Sequence, residues 1–265
     1  MPQTDTVRIA AIGDLHYGRT TPPGSLHALF TQISESADIL ALCGDLTDYG
    51  LAEEARAFVK ELVPAVKIPM VAVLGNHDVE SNQQDEIVKI LNDAGVTTLD
   101  GETTEIEGIG FAGIKGFAGG FGRRALGPWG EDIIKRFVHE AVEEALKLES
   151  ALARLRNPHL VALLHYAPIQ ATVEGEPLEI YPFLGCSRLE DPITRFPVSA
   201  VFHGHAHHGA AEGRTRTNVP VYNVSASLMR EVFPERPFRL IELGHTETAV
   251  SDRRTGDRRA PAEVH

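Results

Sequence analysis

The sequence predicts an α/β protein in which two β-sheets pack face to face with helices outside, and three observations lead there. Short apolar runs rich in Val, Ile, Leu and Ala alternate with longer segments whose apolar residues recur at helical spacing. Several of the runs end abruptly at a small set of Gly, Asp, Asn and His residues, as strands do when they deliver side chains to a shared edge. The runs are also too numerous for one open sheet of ordinary size, which favours two packed sheets.

Taken in order, residues 7–12 form the first strand and 26–36 the first helix, with 39–43 and 51–63 repeating the pair. A third strand over 70–74 precedes a helix over 84–94, which Gly95 is placed to stop. Residues 104–115 read as a hairpin turning near Gly108. From 131 to 155 the residues Ile134, Phe137, Ala141, Ala145, Leu148, Leu152 and Leu155 make a stripe at three- and four-residue spacing, predicting a long amphipathic helix docked on the core. Runs at 160–164, 200–202, 219–224 and 238–243 supply the remaining strands. The stretch 251–265 mixes Asp, Glu, Arg, Gly and Pro without periodicity and is expected to fray, so residues 1–250 are read as one domain.

Composition narrows the class. With 43% hydrophobic and 23% charged residues in 265, the chain is that of an ordinary globular protein, and no run is long enough to cross a bilayer. The N-terminus has neither a basic region nor an apolar core of the kind a secretory signal carries, so a cytoplasmic protein is expected. Cys43 and Cys186 are too few for a disulfide framework, and Cys43 sits in an apolar run where a small buried thiol fits. A net charge of −12 opposes binding to nucleic acid, whose affinity comes largely from Lys and Arg on phosphates.

Five segments carry the chemistry: Gly13-Asp14-Leu15-His16, Gly44-Asp45, Gly75-Asn76-His77-Asp78, His165, and Gly204 flanked by His203 and His205. Asp14 and His16 are two apart at a strand end, where alternate residues of extended chain point the same way, and His203 and His205 repeat that spacing. Clusters of His and Asp of this kind signal a metal site. In this order the segments resemble those of the calcineurin-like metallophosphoesterases, marked by GDxH, GD, GNH(D/E), a lone His and GHxH. The resemblance runs from Asp14 to His205; residues 116–158 and those after 244 lie outside it.

The resemblance implies a four-layer α/β/β/α sandwich of two mixed sheets and a dinuclear site. One ion would take Asp14, His16, Asp45 and His205, and the second Asp45, Asn76, His165 and His203, with Asp45 bridging. Two ions about 3.5–4 Å apart can share a hydroxide nucleophile and clamp phosphoryl oxygens. Mixed N and O donors without thiolate suit Mn, Fe, Zn or Co. His77 would protonate the leaving group, and Asp48 either orients His77 or caps the helix that follows. Asp78 would support the His77 loop, and His207 and His208 would lie outside the ligand set.

Tyr49 stands where the serine/threonine phosphatases of the superfamily place an Arg that grips a dianionic monoester, and GNHD ending in Asp78 resembles the branch of cyclic-nucleotide and small-diester phosphodiesterases, so the expected substrate is a small phosphodiester, a nucleotide among the candidates. Phosphomonoesterase or nuclease activity on the same metals is one alternative, and a scaffold that has lost catalysis is another. Residues 116–129 are rich in Gly and carry Arg123 and Arg124, able to grip phosphate, with Phe121 and Trp129 as stacking faces. Their glycine spacing fits no phosphate-binding fingerprint, which favours an ordinary surface loop. The sequence sets no oligomeric state.

Overall fold

The computed structural model describes residues 6–244, so the expected tail over 251–265 lies outside the described residues. One sheet contains β1 (Thr6–Ile12), β2 (Ile39–Cys43), β3 (Met70–Val73) and β4 (Val96–Thr98), all parallel, with β11 (Arg239–Gly244) antiparallel on the outer edge of β1. The other is built on parallel β6 (Ile109–Gly113), β7 (His159–Leu163), β8 (Val198–His203) and β10 (Pro220–Asn223), flanked antiparallel by β5 (Thr103–Ile106) and β9 (Glu212–Arg214). Both sheets are therefore mixed, as expected.

Alternation along each strand sorts its side chains into three cores. Ile9, Ala11, Ile39, Ala41, Val71 and Val73 face inward and meet Phe111, Val161, Leu163 and Phe202 of the other sheet. Their neighbours Ala10, Ile12, Leu40, Leu42 and Ala72 face outward onto α1 (His27–Ser36), α2 (Ala52–Ala65) and α3 (Gln84–Asp93), through Phe30, Phe58, Leu62, Ile87 and Leu91. On the far side Ala112, Leu160, Ala162 and Val201 pack against Leu148 and Leu152 of α4 (Asp132–Leu152). Burial on both faces is why the parallel strands read as continuous apolar runs. The result is the α/β/β/α sandwich. Cys43 and Cys186 are both buried and unpaired.

The hairpin between β5 and β6 turns at Glu107 and Gly108, both left-handed at φ 50° and 76°, the backbone that a two-residue turn between twisted strands requires. In α4 the buried face holds Val138, Ala141, Glu144, Leu148, Ala151 and Leu152, and the helix stops before Leu155. The expected stripe is thus met at its centre, and Phe137 and Leu155 towards its ends pack on the same core while only partly buried. Glu144 breaks the apolar pattern because its carboxylate accepts the Gly116 N–H at 2.7 Å and pairs with Lys147. Not expected from sequence were β4 and β9, each of three residues, and the short helices α5 (Tyr181–Leu184), α6 (Glu190–Arg195) and α7 (Ala226–Val232). Among the described residues no helix is long and apolar enough to cross a membrane.

Candidate metal centre

The C-terminal ends of β1, β2, β3, β7 and β8 open onto one edge of the sandwich, where loops diverge while the sheets hold their roots. Backbone bonds lock the first two loops together: Asp14 N–H donates to Gly44 O and His16 N–H to Asp45 O, each at 2.9 Å. Asp14, His16, Asp45 and His205 all take left-handed backbone, with φ between 44° and 71°. Such conformations cost about 1–3 kcal/mol each in non-glycine residues and persist only where the surroundings enforce them. At Gly75 and Gly204 an added Cβ would collide with the carboxylates of Asp45 and Asp14, so both positions need glycine for close approach.

Three clusters of ligand atoms form, each within 4.8 Å: Asp14 with His16 and His207, His16 with Asp45 and His77, and Asp45 with His165 and His205. In the first, His207 Nε2 is 3.2 Å from Asp14 Oδ1 and 3.4 Å from His16 Nε2. In the last, His165 Nε2 is 3.3 Å from Asp45 Oδ2 and 2.8 Å from Asn76 Oδ1, which brings Asn76 in as a further oxygen donor. Asp45 Oδ2 also lies 3.9 Å from His16 Nε2, so this one carboxylate touches both histidine groups. The scaffold can hold two ions.

The ring nitrogens pointing away from the clusters are fixed by carbonyls. His165 Nδ1–H donates to Cys43 O at 3.0 Å and His205 Nε2–H to Phe183 O at 3.1 Å, leaving Nε2 of the first and Nδ1 of the second to face the centre. Partners of this kind set the tautomer and orientation of metal-binding histidines. Both Asp14 oxygens also accept the His205 N–H at 2.9 Å.

His203 departs from the expectation. It lies at the end of β8, fully buried, with Nδ1 2.7 Å from Gly204 O and Nε2 2.7 Å from Thr172 Oγ1, and joins none of the three clusters. His207 occupies the place beside Asp14 and His16 that the sequence reading gave to His205, and His205 the place given to His203. The signal was available: Gly204-His205-Ala206-His207 is itself a GHxH.

His77 is held by two bonds. Its N–H donates to Asp45 Oδ1 at 2.8 Å, and its Nδ1–H to the main-chain oxygen of Asp48 at 2.6 Å. The ring thus meets the residue expected to orient it, but at the backbone and not at the carboxylate. The Asp48 carboxylate instead lies 3.8 Å from His16 Nδ1, and the cap of α2 is supplied by Glu54, which accepts from Tyr49 N–H and Leu51 N–H. Fully buried Asp78 accepts from Leu46 N, Thr47 N, Thr47 Oγ1 and Gly75 N at 2.7–3.2 Å, tying the Asp45 loop to the Asn76 loop.

Electrostatics follow from burial and pairing. Burial lowers the His165 pKa, but Asp45 more than offsets it and carries the value to about 9. Burial pulls His205 down to about 4, helped by neighbouring His165. Burial opposes ionisation of Asp45, yet His165 holds its pKa below the usual carboxylate range. The hydrogen bond to Asp14 raises His207, with burial opposing. Of the 116–129 loop, Arg123 and Arg124 are exposed, Trp129 is exposed, and Phe121 is packed against Ala167, Val173, Leu184 and Ala206, which removes it as a free stacking face.

The chain belongs to the calcineurin-like phosphoesterase family, whose model matches residues 7–209. It is a member of a class of metal-dependent phosphoesterases, with the two-sheet sandwich and strand-end clusters able to hold metal described above. No curated protein matches the sequence. Among solved structures, a phosphopantetheinyl hydrolase from Mycobacterium tuberculosis is similar at 17% identity and a TM-score of 0.63, over 88% of this chain and 95% of that one. The protein TT1561 of Thermus thermophilus is similar at 16% identity and a TM-score of 0.51, over 90% of this chain and 99% of that one. A putative 5′-nucleotidase from Staphylococcus aureus is similar at 14% identity and a TM-score of 0.51, over 82% of this chain but 48% of its own. At these identities the likeness shows the fold alone.

Proposed function

We propose that the chain hydrolyses a small phosphodiester at a dinuclear metal centre. One ion is assigned to Asp14, His16, Asp45 and His207, and the other to Asp45, Asn76, His165 and His205, with residues 1–250 as the catalytic domain. The observation that carries the reading is the Asp45 carboxylate, within reach of the histidines of both groups. The donor set fits Mn, Fe, Zn or Co: nitrogen and oxygen atoms only, the nearby Cys43 contributing its carbonyl and not its buried thiol. Two such ions would activate water and neutralise charge on the phosphoryl oxygens.

The chain's own residues do the rest. His77, with Nδ1–H committed to Asp48 O, keeps Nε2 for the departing alkoxide and supplies its proton. Asp78 and the Asp14 bond to His205 N–H hold the loops in register, so ligand positions are set before an ion arrives. Diester preference rests on Tyr49, a neutral and half-exposed side chain in the position of the monoester-gripping Arg. The names of the solved relatives, a phosphopantetheinyl hydrolase and a putative 5′-nucleotidase, point to different substrates and do not choose between esters. A cytoplasmic site of action agrees with two unpaired cysteines. The deciding experiment compares bis-p-nitrophenyl phosphate with p-nitrophenyl phosphate on protein loaded with each metal: kcat/KM favouring the diester supports the reading, and a monoester preference of about tenfold, worth ~1.4 kcal/mol, reverses it.

A further inference from the structure

Residues 174–184 form a strap against the His205 side of the metal centre, and its bonds tie it to that candidate ligand and to the residues around it. Phe183 O accepts from His205 Nε2–H at 3.1 Å, Leu184 O accepts from Ala167 N–H at 3.0 Å, two residues past His165, and Glu176 Oε1 accepts from His208 N–H at 2.7 Å. Leu184 points into the protein against Ala167 and Ala206. Its neighbours point out: Leu178 is 74% exposed, Phe183 60% and Ile180 37%. Single exposed apolar residues are ordinary. Three within residues 178–183 of one strap, whose main chain bonds the metal-ligand candidate His205, form an apolar crest, and clustered exposed apolar residues mark binding surfaces.

The geometry points to this crest as the specificity element of the site, taking a neutral apolar arm, alkyl or aryl, carried by the phosphodiester. The inference rests on the phosphoesterase reading above. Charge favours an apolar arm over an anionic one. The strap carries Glu174, Glu176 and Glu179 and no Lys or Arg, so a second phosphate or carboxylate on the substrate would meet repulsion where a hydrocarbon would bury Leu178, Ile180 and Phe183. Rigidity supports it too: Gly119 N–H donates to Pro182 O at 2.7 Å and the strap is bonded at both ends, so the crest is pre-set and binding does not have to order it.

The test uses binding, so that it stands apart from turnover. Calorimetry on manganese-loaded protein compares dimethyl phosphate, butyl methyl phosphate and hexyl methyl phosphate, which share charge and differ in one arm. Affinity should rise along the series, by about tenfold from dimethyl to hexyl methyl. Phe183→Ala and Leu178→Ala should each cut that ratio by about threefold or more. Val63→Ala, an exposed apolar residue on α2 in the opposite helical layer, should leave the ratio as in the wild type. A flat series, no binding of hexyl methyl phosphate, or an unchanged ratio in both strap variants would overturn the inference. Failure to hydrolyse any phosphate ester would overturn the functional reading instead, and the affinity series would still decide the role of the crest.

Discussion

Asp45 and His165 form a buried ion pair, Oδ2 to Nε2 at 3.3 Å, with each partner's charge favoured by the other. The pair occupies atoms that a metal ion would use, so loading the site must displace the His165 proton. Because that group's pKa is raised to about 9, the proton is present at pH 7 and metal binding should release about one proton per chain from this pair. Release should fade as pH climbs through about 9, and metal affinity should rise over the same window. The pair's contribution to the stability of metal-free protein runs the other way, full below the ordinary histidine value and lost as pH rises through about 9. Metal titration calorimetry in buffers of different ionisation enthalpy counts the protons; the same heat in every buffer at pH 7 would rule the pair out.

His207 and His203 should separate cleanly. His207→Ala removes a group 3.2 Å from Asp14 Oδ1 and should cost about one of two bound ions. His203→Ala should retain both, because that ring is spent on Thr172 and Gly204. Metal analysis after reconstitution reads both, and loss on His203→Ala with retention on His207→Ala would restore the ligand order first read from sequence.

Leaving-group dependence tests His77. His77→Ala should lower kcat for esters with poor alkoxide leaving groups by about 10²–10⁴ and hardly change an activated nitrophenyl ester, which departs without a proton. Since Nδ1 is held by the Asp48 carbonyl, Asp48→Asn should preserve that pattern and lose activity only modestly, through the carboxylate's contact with His16. Equal losses on both ester types in His77→Ala would assign the ring to positioning.

Asp78→Ala should destabilise the fold without removing a ligand. It orphans the N–H groups of Leu46, Thr47 and Gly75 in a fully buried site, at about 1–3 kcal/mol for each unsatisfied donor. Urea denaturation would show the midpoint falling; a change under about 0.5 kcal/mol would mean the loops hold without this carboxylate.

Much of this architecture was legible because its parallel strands are buried on both faces and end at glycine-marked loops, as β1, β2, β3 and β8 do, or just before a lone histidine, as β7 does before His165. Strands β4 and β9 escaped notice because three residues carry no period to read. The difference between the expected and the observed placement at the last motif has a physical source. Alternation holds only while the chain is extended, and His205 at φ 71° turns it out of the strand, so His203 stays with the core while His205 and His207 reach the centre. The role of Asp48 was hidden for another reason: residue type reveals a carboxylate but not which backbone oxygen a neighbour will use.

The bridging role of Asp45 is the claim on which the rest depends, and the number of manganese ions bound per chain, measured for the wild type and for Asp45→Asn, tests it most directly. Two ions in the wild type and a drop at both sites in the variant are predicted, since one side chain serves both groups. A single ion in the reconstituted wild type, or two ions with undiminished turnover in Asp45→Asn, would contradict it.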